Sequence, residues 1–167
     1  RTVDHELEPF ELLEKWQTDV IFAARQSGFA CDWTPLHDDE MYAILPADYP
    51  TNGRDFFPIE AFAGKEFLMP YGRFDIDVGA AFQKYGVEPI IRPCYVDDET
   101  VIRMVGKGLG ISMMAEMMIR GKLTGVKTLP VRPCVSRELG MGLHPREQLP
   151  PGISRLRECV LEYIGEL

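Results

Sequence analysis

The stretch DDETVIRMVGKGLGISM, residues 97 to 113, limits the folds open to this chain more than any other. Its leading acids suit the N-cap and first turn of a helix, where carboxylates meet unpaired amides and the positive end of the dipole. Val101, Met104 and Val105 then fall on one helical face. Gly106 or Gly108 offers a left-handed C-cap, Gly110 lets the next segment lie close to the helix, and LGISM reads as a short strand. A helix delivered straight into a strand belongs to a layered α/β fold. The same order excludes a phosphate-cradling loop. That loop needs a strand before its glycines and a helix N-terminus after them, and no Ser or Thr follows the Gly-Lys pair at Gly106 and Lys107. Met113, Met114, Met117 and Met118 follow at i, i+1, i+4 and i+5, a spacing that predicts one apolar helix face used for core packing.

The rest of the chain alternates in the same way. Leu7, Phe10, Leu13 and Trp16 keep a helical period, and DVIFAA, residues 19 to 24, reads as a buried strand. Residues 33 to 37 and 41 to 46 read as two extended stretches around an acidic, solvated turn at Asp38, Asp39 and Glu40. A helical turn at 59 to 64 closes on Gly64, and EFLMP is a strand. A loop then leads to a helix from about 75 to 85 that Gly86 ends. IIRPCYV is a strand whose Pro93 points to a sheet edge or a bulge. Beyond residue 115 come a short helix, the strand GVKTLPV and a glycine-bearing strand from 136 to 144. The last element is an amphipathic helix carrying Ile153, Leu156, Val160 and Ile164 on one side. Regular alternation predicts parallel strands with right-handed crossovers. The 167 residues suffice for one ordinary domain or two small lobes.

Charge and residue spacing narrow the chemistry. A formal net charge of -8 repels a phosphate backbone, so this stretch is a poor nucleic-acid binder. No apolar run approaches the roughly 20 residues that cross a bilayer. Cys31, Cys94, Cys134 and Cys159 stand among apolar neighbours without a CxxC pair, which predicts reduced core or subsurface thiols and a cytoplasmic setting. His5, His37 and His144 lie far apart, so no metal site is expected and each histidine is read as structural or surface. No GxSxG elbow or cysteine-nucleophile signature occurs, so no catalytic group is assigned and no cofactor is expected. Candidate ligand contacts are the segments that open helices after strands, near residues 73 to 75 and 97 to 100. There Asp75, Asp97 and Asp98 serve equally well as plain N-caps.

Taken in order, DVIFAA, WTPLHDDEMYAILPADYP, IEAFAGKEFLMP, YVDDETVIRMVGKGLGISMMAEMM and VKTLPV resemble the effector-binding domain of LysR-type transcriptional regulators over nearly the whole chain. The acid-capped helix ending in Gly-Leu-Gly-Ile is the most telling piece. The family usually follows it with a proline where this chain has Ala115 or Glu116. The resemblance implies an α/β fold of two Rossmann-like lobes joined by two crossover strands, like a type II periplasmic binding protein. The crossings fall near residues 43 to 46 and 129 to 132. Residues 1–43 and 131–167 form the first lobe, truncated at its N-terminal side because the family's opening strand and helix are missing, and residues 44–130 form the second.

A small-molecule effector would then be held in a cleft lined by Ala24, Arg25, Tyr71, Gly72, Arg73, Phe74, Asp97, Asp98, Thr100, Ile111 and Ser112. The resemblance further implies a non-catalytic, cytoplasmic bacterial sensor that assembles as a homodimer or homotetramer. It would touch DNA only through an N-terminal helix-turn-helix that this stretch lacks, and would not touch a membrane. A solute-binding protein of a transport system would share the architecture.

Overall fold

The structure, a computed structural model, describes residues 8–70, 74–121, 124–145 and 150–165. It divides into two compact units, one formed by the chain up to Asp38 together with the chain from Glu138, the other by Asp39–Arg137. The chain therefore passes between units inside two strands, Asp32–Pro46 (β2) and Ser136–Leu143 (β8), whereas the sequence reading sets these passages nearer residues 43 and 131.

In the first unit, helix α1 (Glu8–Glu14) begins with Pro9 in its first turn, where a missing amide costs nothing, and buries Phe10 and Leu13. They pack with Ile21 of β1 (Val20–Ala24), and Phe29 and Trp33 close the cluster. Strand β1 pairs antiparallel with β8, from Val20 opposite Leu143 to Ala24 opposite Leu139. The expectation of a fully buried β1 is corrected: Ile21 is buried while its neighbour Phe22 is 54% exposed, the alternation of a strand covered on one face. Gly140 of β8 lies so close under Trp33 that a Cβ there would sit 2.4 Å from the indole ring. Helix α5 (Pro151–Gly165) forms as expected, yet none of its residues is buried, and Leu156, Leu161 and Tyr163 are exposed.

In the second unit, β2 pairs antiparallel with both β6 (Ser112–Ala115) and β7 (Val126–Arg132). The short β3 (Phe57–Pro58) runs parallel to β7, and β4 (Glu66–Pro70) runs parallel to β5 (Ile90–Cys94). Helix α2 (Phe74–Tyr85) links β4 to β5, and α3 (Asp98–Gly106) precedes β6. Uniform parallel pairing is thus corrected to a mixture, because β2 returns against strands that reach it from the opposite direction. Pro93 sits in β5, which pairs only with β4 among the described residues, so its missing amide disrupts no ladder.

Alternation along β4 sends Phe67 and Met69 into one core cluster and Leu68 into another. The first cluster is built on edge-to-face contacts of Phe62 with Phe57, Phe67 and Phe82, the preferred geometry of aromatic quadrupoles. The second holds Val101, Ile102 and Val105 of α3 against Ile44, Leu68 and Met114.

The turn after α3 resolves the glycine question. Gly108 is left-handed at φ +75°, its amide donates to the Val105 carbonyl, and the Leu109 amide donates to that of Met104, a Schellman closure. At Gly110 a Cβ would sit 2.7 Å from the Glu66 carbonyl oxygen, so only glycine permits this approach. The single methionine face does not form. Met113 and Met114 point to opposite sides of β6, while α4 (Glu116–Ile119) carries an exposed Met117 and a half-buried Met118.

The acidic turn at 38 to 40 is also corrected, for β2 runs unbroken through it. Asp39 is fully buried; its Oδ2 accepts from Arg137 Nε and Nη2 at 3.0 and 2.8 Å, and its Oδ1 accepts from the Met117 amide at 3.0 Å. Glu40 pairs with Arg132. The cysteines differ from expectation too. No disulfide joins them, but Cys134 and Cys159 are exposed, because one lies in the β7 to β8 connection and the other on the uncovered α5.

Candidate functional site

Ala24 closes β1 half-buried, and the chain continues its pairing one residue further, with the Arg25 amide donating to the Glu138 carbonyl at 2.8 Å. The Arg25 guanidinium, 61% exposed, donates through Nη1 to Glu138 Oε1 at 3.1 Å. The same oxygen accepts the Trp33 indole N–H at 2.8 Å. Burial pushes the nearby Cys31 thiol above its ordinary pKa, with Arg25 pulling the other way.

Asp97 is the N-cap of α3. Its carboxylate accepts the Thr100 amide at 2.8 Å, and that bond holds its pKa below the ordinary value. Asp98 and Glu99 occupy the first turn, so the acids satisfy the helix end in the way the N-cap reading requires. Ile111 is buried and bridges to Phe67 in parallel register. Ser112 is fully buried, and its hydroxyl donates to the Leu68 carbonyl at 2.8 Å. Phe74 and Asp75 open α2, whereas Tyr71, Gly72 and Arg73 lie outside the described residues, as does His5. The structure thus gathers Ala24 and Arg25 in the first unit, and gathers Asp97, Asp98 and Thr100 at one helix end of the second. It ties Ile111 and Ser112 to β4.

Sequence reasoning missed Glu138 as the partner of Arg25, and Trp33 as the second donor to the same Glu138 oxygen. Alternation along β8 could have paired Glu138 with a cation, but nothing in the pattern says which one. It also missed the buried Asp39 and Arg137 pair. His144, expected as structural or surface, is buried. Its ring stacks on that of Trp16 with centroids 3.8 Å apart, and its Nε2 is buried without a hydrogen-bond partner. A cavity of about 290 Å³ in the second unit is lined by Asp77, Lys84 and Tyr85 of α2 and by Cys134 and Ser136. Among the described residues no cluster of three or more His, Cys, Asp or Glu side chains could hold a metal, and no helix is long and apolar enough to cross a membrane.

Residues 2–165 match the family model described as the LysR substrate binding domain. An uncharacterized HTH-type transcriptional regulator of Bacillus subtilis (strain 168), YybE, is 22% identical over 138 residues, which cover 80% of this chain and 47% of that protein. The chain therefore spans about half the length of the curated relative it matches. Among solved structures, the CcmR regulatory domain of Synechocystis PCC6803 in complex with 2-PG aligns with a TM-score of 0.82 at 16% identity, over 97% of this chain and 80% of that one. The BenM effector binding domain with its effector benzoate aligns at 0.80 and 19% identity, over 93% and 73%.

Proposed function

The chain belongs to the LysR substrate-binding domain family, and from that premise we propose that it is the small-molecule sensing part of a LysR-type transcription regulator. It binds an effector and makes or breaks no bond. Effector binding favours one arrangement of the domain over another, and the free-energy difference is passed to a DNA-binding part of the longer protein. The cytoplasm is its place of action, and homodimers or homotetramers are the assemblies through which it acts.

The family match along the chain carries this reading. It is supported by the domains of the same fold that hold 2-PG and benzoate, small organic molecules. Under this reading residues 1–43 with 131–167 and residues 44–130 act as the two lobes. The effector is met by Ala24, Arg25, residues 71–74, Asp97, Asp98, Thr100, Ile111 and Ser112. Arg25 supplies an exposed guanidinium at a strand end, whereas the Asp97 carboxylate is engaged by its helix and Ser112 is committed to the Leu68 carbonyl. Arg25 is therefore the member best placed to choose a ligand.

A thermal-shift screen of small acids, amines and neutral metabolites tests the proposal. A ligand at about 100 times its Kd stabilises the folded state by about 2.7 kcal/mol, enough to move the melting temperature by several degrees. If no compound of any charge class shifts the melting temperature, the sensing role is wrong.

A further inference from the structure

We propose that the cavity between helix α2 and the β7 to β8 connection is a second ligand site, which takes a small zwitterion of dipeptide size with its two charges at opposite ends. Its lining residues all belong to the second unit, and none is among those proposed above to meet the effector.

The hollow follows from the spacing along α2. Asp77, Ala80, Ala81 and Lys84 recur at three- and four-residue steps and so share one helical face, with Tyr85 beside Lys84. The two alanines in the middle extend no further than a methyl group, and that leaves the space of about 290 Å³. Cys134, Val135 and Ser136 form the facing wall. Both walls are anchored. Ala81, Tyr85 and Val135 pack with the first core cluster, and the Val135 carbonyl accepts the Met41 amide at 2.8 Å. The cavity is therefore formed before a ligand arrives, and its volume is close to the lower end of small-molecule pockets, about 300 Å³.

Charge decides what it takes. Asp77 and Lys84 stand two helical turns apart, about 10.5 Å along the axis. The Lys84 ammonium lies 5.2 Å from the centroid of the Tyr85 ring, a cation–π contact that leaves its N–H donors available to an anion. Asp77 already interacts within the protein, but its two oxygens offer about four acceptor positions, so an ammonium is taken in addition. A plain anion would gain at Lys84 and lose at Asp77, and a plain cation the reverse. A ligand charged at both ends gains at both. An extended dipeptide spans about 7 Å, which leaves room for a hydrogen bond between each terminus and its side chain. A free amino acid carries both charges on one carbon and reaches only one end. An aliphatic side chain on the dipeptide would lie on Ala80, Ala81 and Val135.

The test uses the full chain carrying Cys159→Ser, in which Cys134 is the most exposed thiol, with glycyl-leucine as probe. Alkylation of Cys134 by iodoacetamide, followed by peptide mass spectrometry, should slow saturably as glycyl-leucine is added. The half-saturating concentration is compared between variants, because it does not depend on the thiol's own reactivity. N-acetyl-glycyl-leucine lacks the cation and glycyl-leucinamide lacks the anion, and each should need about 10- to 100-fold more. Lys84→Met should weaken glycyl-leucine by a similar factor and bring it level with glycyl-leucinamide. Asp77→Asn should bring it level with the N-acetyl form. Ala80→Trp, at an exposed position, fills the hollow and should abolish the dipeptide's effect with an unchanged circular dichroism spectrum.

Capped forms that protect as well as glycyl-leucine would overturn the zwitterion, and leucine matching the dipeptide would overturn the end-to-end spacing. If glycyl-leucine leaves alkylation unchanged, or protects Ala80→Trp as well as its parent, the cavity is not a ligand site.

Discussion

Helices α3 and α5 look alike in sequence and differ in the structure. Each carries apolar residues at helical spacing, but the nine residues of α3 bury Val101, Ile102 and Val105, while the fifteen of α5 bury none. An amphipathic pattern records a capacity to bury. Burial itself requires an opposing surface, and strands β4 and β6 supply one for α3. The same contrast holds between the units around them. Among the described residues, the second unit has two clusters joined across β4, and the first has one small cluster of Phe10, Leu13 and Ile21.

The largest effect that sharpens this contrast is expected at Ile102, 1% exposed. Ile102→Ala removes three carbons from a filled cluster, and such truncations cost about 2–5 kcal/mol through lost transfer energy and the cavity left behind. Urea unfolding followed by circular dichroism reads this directly. A loss below about 1 kcal/mol would mean that the α3 surroundings collapse easily and that the second unit is not the better packed.

Next come the two glycines whose missing Cβ atoms permit close contact. Gly110→Ala brings a carbon to 2.7 Å from the Glu66 carbonyl oxygen and 3.1 Å from Leu68 Cγ. Backbone must move in a packed core, at a cost of about 1–3 kcal/mol. Gly140→Ala brings a carbon to 2.4 Å from the Trp33 ring and 2.6 Å from the Thr34 carbonyl oxygen, in the thinner unit. It should cost at least as much as Gly110→Ala and shift Trp33 emission. An unchanged emission would show that the ring does not lie where the first unit needs it.

A smaller, pH-dependent effect belongs to Asp97. Its folded pKa lies below the unfolded value near 3.9, chiefly through the Thr100 amide. The stabilisation is therefore complete above that unfolded value and is lost as pH falls through the folded one. Asp97→Ala should lower stability at neutral pH, and the gap to the parent should close in acid. A gap independent of pH would remove the capping carboxylate from the account of α3.

Much of α3 was legible because its signals are local: a capping acid, an apolar face and glycines at Gly108 and Gly110, all within about four turns. Helices α2 and α5 and most strands were legible for the same reason. Strand β2 was misread at Asp39 because a burial-compatible acid needs Arg137, 98 positions away, and no local pattern announces such a partner. The methionines were misread because their helical spacing spans the end of β6 and the start of α4, so the period counted across a boundary. At the candidate site, Arg25 came from resemblance to a family. Glu138, 113 positions distant, came only from the folded pairing of β1 and β8.

The smallest expected effect is at Leu156 of α5, and it decides how the opening contrast is to be read. Leu156 is 37% exposed, and alanine is the better helix former, so Leu156→Ala should change stability by no more than about 0.5 kcal/mol. Ile102→Ala, a comparable truncation on the other amphipathic helix, should cost several times as much. If Leu156→Ala instead costs about 2 kcal/mol or more, the apolar side of α5 is covered in solution. A dependence of that cost on protein concentration would identify the cover as a second copy of the chain, since only an intermolecular contact links stability to concentration. A large cost at every concentration would mean that α5 closes on its own unit more tightly than its exposure indicates, and the difference between the two helices would then be one of degree.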